Sequence, residues 1–504
     1  MHKLMLTLFL LTSLSAAAQN VETKETTTKE TKEKPKLEDK STKTTHSVVI
    51  GGQRISYTAT AGTMVIRDEE GKQKANVFYI SYIRDGVSDL SKRPVTFSFN
   101  GGPGSSSVWL HLGLLGPRRV IMGDKGETLP PPYKVADNEY SILPQSDLVF
   151  IDPVLTGYSR PASGEDPKQF LGLKEDTELV GEFIRLYTTR NQRWASPKFI
   201  IGESYGTTRA ASLADYLQER HGMYLNGIML ISSILNFQTA RFETGNDLPY
   251  VLFLPTYTAT AWYHKRLAPE LQRDLASTLK EAEAFALGPY TLALMKGSEL
   301  GEAESAKIAS GLARLTGLSE EYVKRTNLRV EIGRFVKELL RDRRVTVGRL
   351  DSRFEGVDRD AAGERYEFDP SYAAIQGPYT GSLLGYVRSE LNYENDLPYE
   401  ILTDRVRPWS YRDFENRYVN VAENLRQAMA QNPDLKVFVG NGYYDLATPY
   451  FATHYTFNHL GFDSNYQQRV TMKHYEAGHM MYVHIPSLAK LRDDLVAFMA
   501  GSVR

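Results

Sequence analysis

Ser204, Asp445 and His479 occupy places in the chain where a nucleophile, an acid and a base could each be carried on a turn after a strand. Ser204 lies in KFIIGESYGTTRAA (198–211), in which Phe199 to Ile201 read as a short buried strand and Tyr205 to Leu217 as a helix. Gly202 and Gly206 stand two residues before and after the serine, as a G-x-S-x-G elbow requires where strand and helix nearly touch. The same five residues also suit an ordinary glycine turn. A serine hydroxyl is a weak nucleophile until a histidine takes its proton and an acid fixes the histidine tautomer. Asp445 follows the apolar run KVFVGNGYY and precedes LATP, so it sits on a turn just past a strand. His479 lies in HYEAGHMMY, past RVTMKHY and beside Gly478.

The order Ser, Asp, His, with acid and base after late strands, is that of α/β-hydrolases. An oxyanion then needs two N–H donors, one from the residue after the nucleophile, Tyr205, and one from a glycine loop after an earlier strand. FSFNGGPGSSS (97–107) supplies such a loop, stiffened by Pro103. The rival bases are weaker. His474 falls within or at the end of a strand and His484 at the start of the last helix, and neither adjoins a glycine turn. The spacing of His474, His479 and His484 lacks the H-E-x-x-H face of a zinc site. His454 and His459 point to different helix faces and read as surface histidines. The sequence therefore calls for no metal and no cofactor.

These residues need a framework. With 60 Lys plus Arg against 61 Asp plus Glu in 504 residues, a net charge of −1 gives no electrostatic reason for a nucleic-acid or anionic-membrane partner. MHKLMLTLFLLTSLSAAAQN has the basic start, apolar stretch and Ala-x-Ala site, ending at Ala18, of a signal peptide, so export to a periplasm or medium is expected. Its apolar stretch is shorter than the roughly 20 residues that span a bilayer, and no later segment qualifies. The absence of cysteine excludes disulfides and thiol chemistry. Residues 19–45, almost devoid of apolar side chains, read as a disordered charged tether. Residues 46–100 carry β signals broken by glycine or charged turns, an antiparallel hairpin set feeding a central strand. Strand and helix patterns alternate from DLVFID (147–152) to NGIMLISS (226–233) and resume after residue 411, which implies a mixed, mostly parallel sheet. Between 236 and 410 strands nearly vanish, so the α/β core is expected over 46–235 and 411–504 with an inserted helical cap over 236–410.

FNGGPGSSS followed by LGP (115–117), IDPVLTGYSRP (151–161), IGESYG (201–206), NGYYDLATP (441–449) and AGHMMY (477–482), in that order, together resemble the serine carboxypeptidase family. The resemblance implies an α/β-hydrolase fold, removal of C-terminal residues from peptides bearing a free carboxylate, and Ser204, Asp445 and His479 as the triad. It assigns the oxyanion hole to the Gly102 and Tyr205 amides, and the peptide's terminal carboxylate to Asn100 and Glu203 with the Gly101 amide assisting. Two carboxylates in contact cannot both be ionised cheaply, so Glu203 must carry a proton when it holds one, and an acidic optimum is expected. The chain departs from the family in having Ser105 where eukaryotic members have cysteine, and Leu114 where some members place a second glutamate. An esterase or acyltransferase on the same scaffold, or a binding protein that keeps only the fold, are the alternatives.

Overall fold

The computed structural model describes residues 37–461 and 464–503, so the expected signal peptide and residues 19–36 of the expected tether lie outside the described residues. Three antiparallel strands come first: β1 (Lys40–Ile50), β2 (Gln53–Arg67) and β3 (Gln73–Arg84). Gly51 and Gly52, both at positive φ (56° and 77°), close the two-residue turn between β1 and β2, a geometry that costs glycine little.

Residues 40–45, expected as part of the tether, instead form the start of β1. Lys40 to Thr45 pair in register with Thr63 to Thr58 of β2, and Thr42 Oγ1 donates to the Leu391 carbonyl at 2.9 Å. Side-chain burial is not what orders this stretch. Main-chain bonds to an existing strand do so, and the β-branched threonines suit the extended backbone.

Six parallel strands follow: β4 (Val95–Phe99), β5 (Asp147–Ile151), β6 (Lys198–Glu203), β7 (Gly227–Ile231), β8 (Lys436–Gly442) and β9 (Val470–Tyr475). The sheet runs β1-β2-β3-β5-β4-β6-β7-β8-β9, with the short Arg160–Pro161 strand added on β3. Apolar runs such as LVFI and IMLI are buried on both faces, as parallel strands between two helix layers must be. On β6 the alternation is visible. Ile200 enters the core beneath α1 (Leu173–Arg190), α2 (Tyr205–His221) and α8 (Ala422–Gln431), whereas Phe199 and Ile201 enter the core beneath α10 (Ile485–Ser502). This is the α/β-hydrolase arrangement.

Between β7 and β8 the chain forms α3 (Leu248–Tyr263), α4 (Leu275–Phe285), α5 (Glu302–Thr316), α6 (Ile332–Glu338) and α7 (Pro370–Ser389). Helices α3 to α6 share an apolar core that Tyr444, Leu446 and, from α9 (Tyr450–Asn458), Tyr450 and Phe451 help to close. Helix α7 behaves differently: Ile375, Tyr379, Leu383 and Tyr386 join the core of the sheet itself. An amphipathic pattern states that a helix buries one face, not which core receives it.

Candidate active site

Strand β6 ends at Glu203, and the next residue, Ser204, turns sharply at φ 60°, ψ −130° before α2 begins. Positive φ at a residue with a Cβ is strained, so its surroundings must hold it. They do so with hydrogen bonds from Ser204 N to the Ile231 carbonyl (3.0 Å) and from Thr207 N to the Ser204 carbonyl (2.8 Å). A Cβ on Gly202 would stand 2.2 Å from the Gly206 carbonyl oxygen, and one on Gly206 3.0 Å from that of Phe99. Only glycine fits at 202, which is the packing an elbow demands.

Asp445 follows β8 and is fully buried. Its Oδ1 accepts from the Ala447 and Thr448 amides (2.8 and 3.0 Å), and its Oδ2 from Thr448 Oγ1 (2.7 Å) and His479 Nδ1 (2.8 Å). His479, past β9, is fixed through its backbone: its N–H donates to Leu350 O (2.7 Å) and its carbonyl accepts from Ser232 Oγ (2.6 Å). With Nδ1 donating to the carboxylate, Nε2 is the nitrogen left to accept a proton. Burial disfavours the imidazolium, but the Asp445 charge and hydrogen bond outweigh it and leave the His479 pKa above its ordinary value. Ser204 and His479 line one cavity of about 490 Å³.

The glycine loop after β4 runs against the start of α2. A Cβ on Gly101 would lie 2.4 Å from the Tyr205 amide nitrogen, and Gly102 adopts φ 104°. As the first residue of α2, Tyr205 has an N–H with no intrahelical acceptor. Gly102, Ser204 and Tyr205 line a second cavity, of about 850 Å³.

Asn100 and Glu203 meet inside the smaller cavity. Asn100 Oδ1 accepts from the Leu110 amide (3.1 Å), which turns its Nδ2 towards Glu203 Oε1 (3.2 Å). Glu203 Oε2 accepts from the Tyr482 hydroxyl at 2.5 Å. Burial pushes the Glu203 carboxyl up to about 7, with the Asp445 charge acting in the same direction and His479, Tyr482 and Asn100 opposing it.

Two members of this site, Tyr482 and Arg209, carry no separate motif signal in the sequence. Tyr482 lies inside the AGHMMY motif, yet one tyrosine among 30 carries no signal of its own. Arg209, fully buried, donates from Nη1 to the Asn100 carbonyl (2.7 Å) and from Nε to Asp176 Oδ2 (2.6 Å), stitching α2 to the glycine loop. Trp109 lines the smaller cavity and donates from Nε1 to Ser105 Oγ (2.8 Å). Leu114 is wholly buried, and Tyr482, packed over neighbouring Gly113, is the group that reaches Glu203 instead. None of the rival histidines lines either cavity that Ser204 borders. His459 is exposed as expected, whereas His454 is half-buried, its Nε2 2.8 Å from His474 Nε2, and burial lowers the pKa of both. Among the described residues no group of three His, Asp or Glu gathers as for a metal ion, and no helix is long and apolar enough to cross a membrane.

Residues 53–485 match the family described as Serine carboxypeptidase, Peptidase_S10. Among curated proteins the chain is similar to Serine carboxypeptidase-like 33 of Arabidopsis thaliana, 28% identical over 160 residues, covering 31% of this chain and 30% of that one. It is also similar to Serine carboxypeptidase-like 35 of Arabidopsis thaliana, 25% identical over 198 residues, covering 38% and 39%. These alignments span between about three tenths and two fifths of the relatives' length. KEX1(delta)P, a prohormone-processing carboxypeptidase from Saccharomyces cerevisiae, shares the fold with a TM-score of 0.55 at 17% identity, over 88% of this chain and 91% of that chain. With a single family match extending from β2 to the start of α10, this chain belongs to the serine carboxypeptidase family.

Proposed function

We propose that the protein is an exported serine-type carboxypeptidase acting on peptides with a free C-terminal carboxylate. Ser204 Oγ attacks the scissile carbonyl while His479 Nε2 takes its proton, and Asp445 holds the imidazole and stabilises the imidazolium. The Gly102 and Tyr205 amides receive the oxyanion. Collapse of the tetrahedral intermediate breaks the C–N bond, His479 returns the proton to the leaving amine, and the C-terminal residue departs. Water, activated by the same histidine, then hydrolyses the acyl-enzyme.

The observation that carries the exopeptidase reading is Glu203, adjacent in sequence to the nucleophile, buried, and bound by Asn100 and Tyr482. With a pKa near 7 it is protonated in mildly acidic solution and can donate to a substrate carboxylate, to which Asn100 Nδ2 contributes its second N–H. The signal-like residues 1–18 support export.

The test compares an N-blocked dipeptide with its C-terminal amide. Losing a charge-assisted carboxylate contact is expected to lower kcat/KM by about 10²-fold on amidation. Ser204→Ala is expected to remove at least about 10⁴-fold of kcat and all labelling by a fluorophosphonate. Equal cleavage of acid and amide would sink the exopeptidase reading, and full activity of Ser204→Ala would sink the triad.

A further inference from the structure

We infer that the acyl side of the cleft selects peptides with an aspartate or glutamate side chain within two residues of the scissile bond. The inference rests on the carboxypeptidase reading, which fixes how a peptide lies across Ser204. Asn100 and Glu203, the carboxylate-binding pair, line only the smaller cavity. The leaving residue therefore occupies that cavity, and the acyl portion extends into the larger one, about 850 Å³ in volume and roomy enough for more than one residue.

The lining of the larger cavity is electrostatically one-sided. Arg241, Arg349 and Arg407 contribute to it, and among its described lining residues there is no Asp or Glu. The three come from separate parts of the chain: Arg241 after β7, Arg349 between α6 and α7, and Arg407 between α7 and α8. Two of them make no side-chain ion pair among the described residues, although the Asp369 carboxylate accepts from the Arg349 amide at 3.1 Å. Among the described residues Arg349 makes no ion pair, and Arg241 makes none either, lying 5.7 Å from the Phe237 ring centroid. Arg407 is held by Asp404 at 2.7 Å, but both side chains are largely in solvent, where such a pair is weak. Arg349 and Arg407 also line the smaller cavity, beside Glu203 and Asp404, so they stand at the junction of the two, and Arg241 lines the larger one alone. In a chain of net charge −1, three cations lining one cavity that holds no acid among its described residues create a local positive field that favours an anionic side chain and disfavours a cationic one. Phe237, Phe253 and Trp409 on the same walls can take up the methylene part of that side chain.

The experiment measures kcat/KM for N-blocked tripeptides sharing one C-terminal residue and carrying Glu, Gln or Lys at either of the two preceding positions. It is run at pH ~6, where a substrate glutamate is ionised. Gln matches Glu in shape without its charge. A Glu-to-Gln ratio of about tenfold at one position, with Lys below Gln, is expected from two or three partly exposed charge contacts. That ratio is expected to shrink as NaCl is raised, by screening. Arg241→Gln and Arg349→Gln are each expected to lower the ratio by about two- to fourfold, and Arg241→Lys to retain most of it. Ratios near one at both positions, or a preference for Lys, would overturn the inference while leaving the carboxypeptidase reading intact. A Glu preference unmoved by either glutamine variant would overturn the assignment to these arginines. Failure to cleave any tripeptide would instead refute the reading on which it rests.

Discussion

At residue 203 burial and hydrogen bonding pull in opposite directions, and burial prevails, so the carboxyl is neutral below about pH 7. The sign of the pH dependence follows. As pH rises through that value Glu203 ionises, its O–H donor is lost, and a carboxylate now faces the carboxylate of the substrate. KM for an acid-terminated peptide is expected to climb by about tenfold per pH unit at the steepest, while a C-terminal amide shows no such rise. His479 shapes the acid limb, because protonation removes the base, and its raised pKa brings that limb towards neutrality. The two groups influence each other and titrate as a pair. Glu203→Gln keeps an N–H donor at every pH. KM profiles of the acid-terminated substrate that rise identically in wild type and Glu203→Gln would refute the assignment.

At the scale of elements, the site depends on how β6, the elbow and α2 are tied to the glycine loop. Arg209 is the tie. Only 1% of its side chain is exposed; it lies 5.1 Å from the Phe99 ring centroid and 5.4 Å from that of Tyr205, and it joins Asp176 of α1 to the Asn100 carbonyl. Replacing it with methionine leaves Asp176 buried without its partner, and breaking such a pair costs about 3–5 kcal/mol. Arg209→Met is expected to lower the urea midpoint accordingly and to raise KM for acid-terminated peptides more than for amides, because Asn100 loses its anchor. Arg209→Lys recovers part of the stability, lacking the fork that serves both acceptors. An unfolding free energy within about 0.5 kcal/mol of wild type would contradict the tie.

Across the whole molecule, the sheet is assembled from both ends of the chain. Strand β7 pairs with β6 on one side and with β8 on the other, and β8 follows the entire helical block. Helix α10, the last element, supplies Leu488, Leu491, Leu495 and Phe498 to the core under β6 and β7. A fragment of residues 37–235 would therefore expose the β7 edge and one apolar face of the sheet. It is expected to show no cooperative urea transition and no near-UV circular dichroism, and to bind a hydrophobic dye. A sharp, native-like transition of that fragment would show instead that the first half is an autonomous unit.

Much of this was legible in the residues themselves. Elbow, glycine loop and the turns carrying Asp445 and His479 are local features: glycine spacing, apolar runs and strand-to-turn boundaries depend on neighbours a few positions away, so the chain declares them in order. The fold class follows from the same short-range periodicity. Contacts between distant segments leave no such trace. Tyr482 reaching Glu203, Arg209 linking Asp176 to Asn100, His454 meeting His474, and three arginines converging on one cleft each join residues well apart in the chain. Strand β1 likewise owes its first residues to pairing with β2, which composition alone could not reveal. Residue order specifies the chemical groups and the elements that present them. Folding selects which of those groups lose water together, and that desolvation is what raises the Glu203 pKa.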